Sequence, residues 1–185
     1  MGSPGAATGY GTVAKLLHWT MVVAIAVQFV LGYSIDRFDD LLEWAADLFF
    51  GGEEDWWIVP HAVLGATILA LACLRLWWRR THGLPDWAPG LSAHERRVAT
   101  VVERTLYVLM FAIPVTGLAL LFATDSEWDI GPYEWAAPLP VLDDDTGLVA
   151  HVTTHIVFFV ALTVHVGLVV KHQFVDRDRL LNRMV

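Results

Sequence analysis

The chain has 185 residues, of which 56% are hydrophobic, with mean hydropathy +0.50, nine tryptophans and a formal net charge of −8. Its apolar residues gather in long blocks instead of the short periodic stripes of a soluble core, and its acidic balance argues against a nucleic-acid partner. Cys73 is the single cysteine, which excludes an intrachain disulfide, a CxxCH haem attachment and a thiolate cluster.

Four apolar blocks, at about 13–34, 58–80, 98–123 and 148–171, are each about long enough to cross a ~30 Å hydrocarbon layer. They predict an all-α, four-helix transmembrane bundle in a multi-pass protein of the cell inner membrane. The first block stays near spanning length over 16–31, and no small-residue cleavage site precedes the acidic stretch 36–40, so it is expected to remain as a helix and not be removed as a signal peptide. After it, Phe38, Leu41, Leu42, Ala45, Leu48 and Phe49 recur at helical spacing between acids, which predicts a short amphipathic helix at the membrane surface. Trp56 and Trp57, with Trp128 and Trp135 further on, suit one interfacial aromatic belt, and Trp77 and Trp78 suit the other. Pro114 is expected to kink the third helix. With no internal repeat and only short connections, residues 1–185 read as a single integral-membrane domain.

The charges orient the bundle. The link between the second and third blocks carries Arg79, Arg80, Arg96 and Arg97, and the tail carries Lys171, Arg177, Arg179 and Arg183, so both segments and both termini are expected in the cytoplasm. The other two connections hold fifteen of the twenty acidic residues, eight between Asp36 and Asp55 and seven between Asp125 and Asp145, with Arg37 as their only cation. The outer face is therefore strongly negative.

Histidines occupy these apolar blocks at two depths. His151 and His165 are fourteen residues apart, which on a helix leaves their rings within about 40° of one face and about 21 Å apart along the axis. His18 opens the first block and His61 the second, so depth pairs His18 with His165 near the cytoplasmic surface and His61 with His151 near the outer one. Facing imidazoles suit the two axial positions of a haem iron, whereas zinc lacks a third ligand at either level. His155 lies one turn from His151 and only about 40° around the helix, so spacing alone leaves the two open. Arg75, fourteen residues after His61, reaches the cytoplasmic level and is a candidate for a haem propionate. Gly32 and Gly65 are candidates for close approach of a macrocycle, while His82, His94 and His172 read as interfacial or solvated.

The strings KLLHW, PHAVLGATILALACLRLWWRR, LYVLMFAIPVTGLAL and HVTTHIVFFVALTVHVGLVVKHQFVDRDRLLNRM resemble the four helices of the bacterial cytochrome b561 family, small di-haem membrane cytochromes linked to quinone. The resemblance spans nearly the whole chain and implies His18, His61, His151 and His165 as the axial ligands of two b-type haems, favouring His151 over His155. The scaffold is also similar to the cytochrome b subunits that anchor formate dehydrogenases and nickel-iron hydrogenases. Where family members often carry a histidine near the start of the third helix, this chain has Glu103 and Arg104, and its outer loops are unusually acidic.

These readings converge on electron transfer through two haems b between an outer-face donor and the membrane quinone pool. Lys15, Arg75 and Lys171 are expected to serve quinone or propionates at the cytoplasmic level. The alternatives are a superoxide:quinone oxidoreductase, as some relatives are, and a haem-bearing anchor for a separate dehydrogenase. The expected partners are lipid, quinone and either a cationic cytochrome c or a dehydrogenase subunit.

Overall fold

The computed structural model describes residues 9–34, 58–88, 90–125, 127–130, 133–178 and 180–185. Its four long helices are α1 (Thr12–Ser34), α2 (Ile58–His82), α3 (Ala93–Ala123) and α4 (Asp144–Val170). At ~1.5 Å per residue even the shortest reaches about 35 Å, more than the hydrocarbon layer needs, and all four are apolar enough to span it. The surface fits that solvent: Val23, Val30, Val63, Val101, Val108 and Val160 are each more than 60% exposed, an apolar display that water would penalise and lipid tails do not. The chain is thus an all-α, multi-pass membrane bundle. The interfacial helix expected before Trp56, together with Trp56 and Trp57 themselves, lies outside the described residues.

Two helices begin earlier than the apolar blocks. The start of α3 is set at Ala93 by a capping box, in which Ser92 Oγ accepts from the Glu95 N–H and the Ser92 N–H donates to the Glu95 carboxylate at 2.9 Å. Asp143 caps α4 by accepting from the Thr146 N–H at 2.9 Å, and these bonds hold its carboxyl below its ordinary value. Both first turns are polar, so hydropathy alone passes over them.

Between α3 and α4 the chain forms a two-stranded antiparallel hairpin, β1 (Glu127–Ile130) and β2 (Tyr133–Ala136), with Trp128 opposite Trp135. The all-α reading did not include it, because four-residue strands give too few alternations to register as a period. Trp135 anchors the hairpin by donating to the Leu121 carbonyl at 3.2 Å and packing on Phe122. Beneath it α3 and α4 press together: a Cβ on Gly147 would lie 2.6 Å from the methyl of Thr124, which is itself fully buried.

The core lies between the two histidine levels. One cluster joins Met21 of α1 to Ile68 and Ala72 of α2, and another joins Leu109 of α3 to Phe158 and Ala161 of α4, with Ile25 packed against both. At the other end of the bundle a π-helical turn (Lys171–Val175) and a short 3-10 turn (Leu180–Arg183) bring the tail back across α1. The Arg183 carbonyl accepts from the Tyr10 N–H, and the Met184 carbonyl from the Trp19 indole at 2.8 Å. The start of α1 and the tail therefore share one end of the bundle.

Candidate haem sites

At the arginine-rich end, α1 and α4 bring His18 and His165 together, ring centroids 6.4 Å apart. Arg75 reaches in from α2 and donates from Nη1 to His18 Nδ1 at 2.9 Å and from Nε to the Tyr107 hydroxyl at 3.2 Å. It points into the bundle instead of snorkelling out to water. Because a guanidinium can only donate, His18 Nδ1 is the acceptor here and its proton sits on Nε2. One turn along α2, Arg79 forms a two-pronged ion pair with Glu103 and lies over the same Tyr107 ring at 5.1 Å. Glu103, at the departure from the family pattern, therefore neutralises Arg79 and leaves the Arg75 cation directed at His18.

The other two cations expected at this level point elsewhere. Lys15 donates to the backbone oxygen of Val185 at 2.6 Å, and Lys171 bridges Glu95 and Asp176. His172 is not solvated as its position suggested: it is 3% exposed, with Nδ1 paired to Asp178 at 2.7 Å. Glu95, His172 and Asp176 form the one trio among the described residues whose ligand atoms converge as for a metal ion, and the Lys171 ammonium already bonds two of its members.

The second level is built from all four helices. His61 of α2 rests on Gly32 of α1, where a Cβ would come within 2.9 Å of the imidazole Cε1, and His151 of α4 rests in the same way on Gly117 of α3, at 3.0 Å. Gly32 thus admits an imidazole, not a macrocycle directly. Gly117, within the IPVTG string, was not singled out from sequence, because glycine is common in membrane helices for packing alone. Gly65 faces the Gln28 amide, which donates to the His61 carbonyl at 2.9 Å. The Nδ1 of His61 is buried with no hydrogen-bond partner among the described residues, a cost of about 1–3 kcal/mol that a bound group at this level could offset.

His151 and His155 are both buried, with ring centroids 4.4 Å apart. Their partners differ. The Thr116 hydroxyl has one proton, directed to the Ala112 and Ile113 carbonyls at 2.9 Å, so toward His151 Nδ1, also at 2.9 Å, it is an acceptor. With the hydroxyl proton on those carbonyls, the proton of His151 sits on Nδ1 and its Nε2 lone pair is free. His155 Nδ1 lies 3.3 Å from the Tyr33 hydroxyl and packs edge-on against Phe29, contacts that hold it to α1.

Imidazoles gathered at two levels, with no thiolate and no converging third ligand at either among the described residues, fit the donor set of haem better than that of zinc. A bundle of this kind is a membrane cytochrome of the b type. Residues 9–185 match the family described as prokaryotic cytochrome b561, and the chain belongs to it. Among curated proteins it is 25% identical to cytochrome b561 homolog 2 of Escherichia coli strain K12, covering 95% of this chain and 90% of that protein. It is also 25% identical to cytochrome b562 of Cereibacter sphaeroides, covering 96% of this chain and 95% of that one. The protein is therefore a multi-pass membrane cytochrome carrying b-type haem, a class suited to electron transfer.

Proposed function

We propose that the chain carries electrons across the membrane through two haems, from an outer-face donor to membrane quinone. His18 and His165 hold one haem, and His61 and His151 the other. The observation that carries the reading is the meeting of His18 and His165 from opposite ends of the sequence beside an arginine aimed inward. Bound haem supplies the one-electron couple, and the protein supplies ligation, spacing and electrostatics. Were His18 to hold haem through Nε2, Arg75 would have to release Nδ1, and its guanidinium would then be placed to pair with an anionic group such as a haem propionate. A pyridine haemochrome assay against protein concentration tests the reading: two haems per chain, both oxidised by added quinone in membranes after reduction, are expected, and one haem, or none, would overturn it.

Thr116 makes a narrower test. Replacing it with valine keeps the shape and removes the acceptor for His151 Nδ1–H, and loss of such an outer partner weakens ligation about 10–100-fold. The expected result is faster loss of one haem only, on dilution into apomyoglobin, with Thr116→Ser restoring retention.

Orientation is proposed with the arginine-rich end in the cytoplasm. With Cys73 first replaced, a cysteine at His94 should be shielded from an impermeant thiol reagent in intact cells, and one at Leu139 should react. The reverse pattern would put the His61 level inside.

The donor follows from charge. Fifteen acids against Arg37 give the outer loops a net −14, a field that slows an anion and speeds a cationic protein until salt shortens the Debye length from about 30 Å at 0.01 M to about 3 Å at 1 M. A cationic cytochrome c is accordingly favoured over superoxide. In stopped flow, haem reduction by reduced cytochrome c should slow as salt rises, whereas slow reduction by superoxide should quicken. A fast superoxide rate that falls with salt would reverse the assignment.

A further inference from the structure

At the arginine-rich end, the loop joining α2 to α3 meets the first two turns of α3 in a shallow groove of about 360 Å³ lined by Trp87, Arg96, Arg97, Thr100 and Val101. The adjoining loop is well packed: Ala88 and Leu91 are each 7% exposed, and Arg96 Nε donates to the Leu91 carbonyl at 3.1 Å. Neither Arg96 nor Arg97 is in an ion pair among the described residues. The nearby acids are engaged elsewhere, Glu95 by Lys171 and Ser92, Glu103 by Arg79, Asp176 by Lys171 and Asp178 by His172. Asp86, beside Trp87 in sequence, makes no ion pair with either arginine among the described residues.

Below the groove the same face of α3 is open and, apart from the exposed Arg104, apolar. Val101, Val108 and Val115 are 63%, 66% and 52% exposed at seven-residue intervals, and Arg97 and Arg104 share their stripe. A cationic ceiling, an indole at the interface and a valine track running into the bilayer match three parts of one molecule: a phosphate headgroup, the glycerol region and an acyl chain. Guanidinium forks suit phosphate oxygens, tryptophan suits headgroup depth, and basic pockets beside membrane helices hold anionic lipids.

We propose that this groove is a binding site for an anionic phospholipid, seated with its phosphate on Arg96 and Arg97 and a chain along Val101 and Val108. None of these residues belongs to either histidine level, so the site is separate from the electron path.

The test titrates the purified haem-loaded protein in detergent micelles with phosphatidylglycerol, with phosphatidylcholine and with inorganic phosphate, counting lipid adducts by native mass spectrometry. Phosphatidylglycerol should bind and phosphatidylcholine should not, and Arg96→Gln with Arg97→Gln should weaken phosphatidylglycerol binding about 20–30-fold, about fivefold per arginine. Arg80→Gln with Arg177→Gln removes the same charge elsewhere and should leave binding within twofold. An unchanged haem spectrum in each variant shows that the bundle is intact. The proposal fails if phosphatidylcholine binds equally, if the Arg80/Arg177 pair matters as much, or if the Arg96/Arg97 pair does not. Displacement of the lipid by millimolar phosphate would make this a free-anion site and overturn the lipid assignment.

Discussion

Replacing His18 or His165 with alanine is expected to remove one and the same haem, and replacing His61 or His151 to remove the other. Each single variant should fall from two haems per chain to one by pyridine haemochrome, with the two members of a pair losing the same spectral component in a potentiometric titration. The effect is large because an iron would lose half of its protein ligation in one step, and the one further imidazole near either level among the described residues, His155, is held to α1 by Tyr33 and Phe29. His155 is the informative control. It lies 4.4 Å from His151, but its Nδ1 faces Tyr33 while the tautomer of His151 is set by Thr116. His155→Ala should keep both haems. Loss of a haem from His155→Ala together with full retention in His151→Ala would exchange their roles.

The second large effect comes from single methyl groups. Gly32→Ala would place a Cβ 2.9 Å from His61 Cε1, and Gly117→Ala one 3.0 Å from His151 Cε1. A Cβ at 2.9 Å is closer than real side chains sit and one at 3.0 Å is tighter than nearly all of them, so each imidazole must give way, more so at Gly32; overpacking of this kind costs about 1–3 kcal/mol, or roughly a 5- to 150-fold weaker hold on the haem at that level. Both variants should lose the His61–His151 haem and keep the His18–His165 one. Two further glycines separate this effect from general damage. Gly65→Ala meets only the flexible amide end of Gln28 at 3.3 Å and should be nearly silent, whereas Gly147→Ala meets Thr124 and Leu120 and should lower thermal stability without choosing between haems. Equal loss of both haems in Gly32→Ala would mean that the contact supports the fold and not one site.

Much of this architecture was legible in advance. The spans at about 13–34 and 58–80 match α1 and α2 within two residues at either end, and those at 98–123 and 148–171 have the right C-terminal limits but miss the polar first turns that Ser92 and Asp143 cap. The separation of His151 and His165 along one helix face was equally readable, since fourteen residues of helix hold two rings on one face whatever surrounds them. The pairing of His18 with His165 followed from depth alone, and the two rings do meet.

What the sequence determined by itself were the properties that repeat along one helix: hydropathy, spacing and the sign of charge in each connection. Rotation of each helix about its axis, and the return of the chain across the bundle, belong to the tertiary structure. Those decided that Arg75 meets His18 while Lys15 and Lys171 turn to the tail and to Glu95, that Gly32 and Gly117 admit imidazoles, and that Thr116 and not Tyr33 addresses His151. They also buried His172 against Asp178, a partner supplied only when the chain turns back beneath α4. The physical reason is common to all of these. A side chain's partner on another helix depends on how two faces are turned toward each other, and lipid, which accepts any apolar face, leaves that choice to close packing and hydrogen bonds between helices.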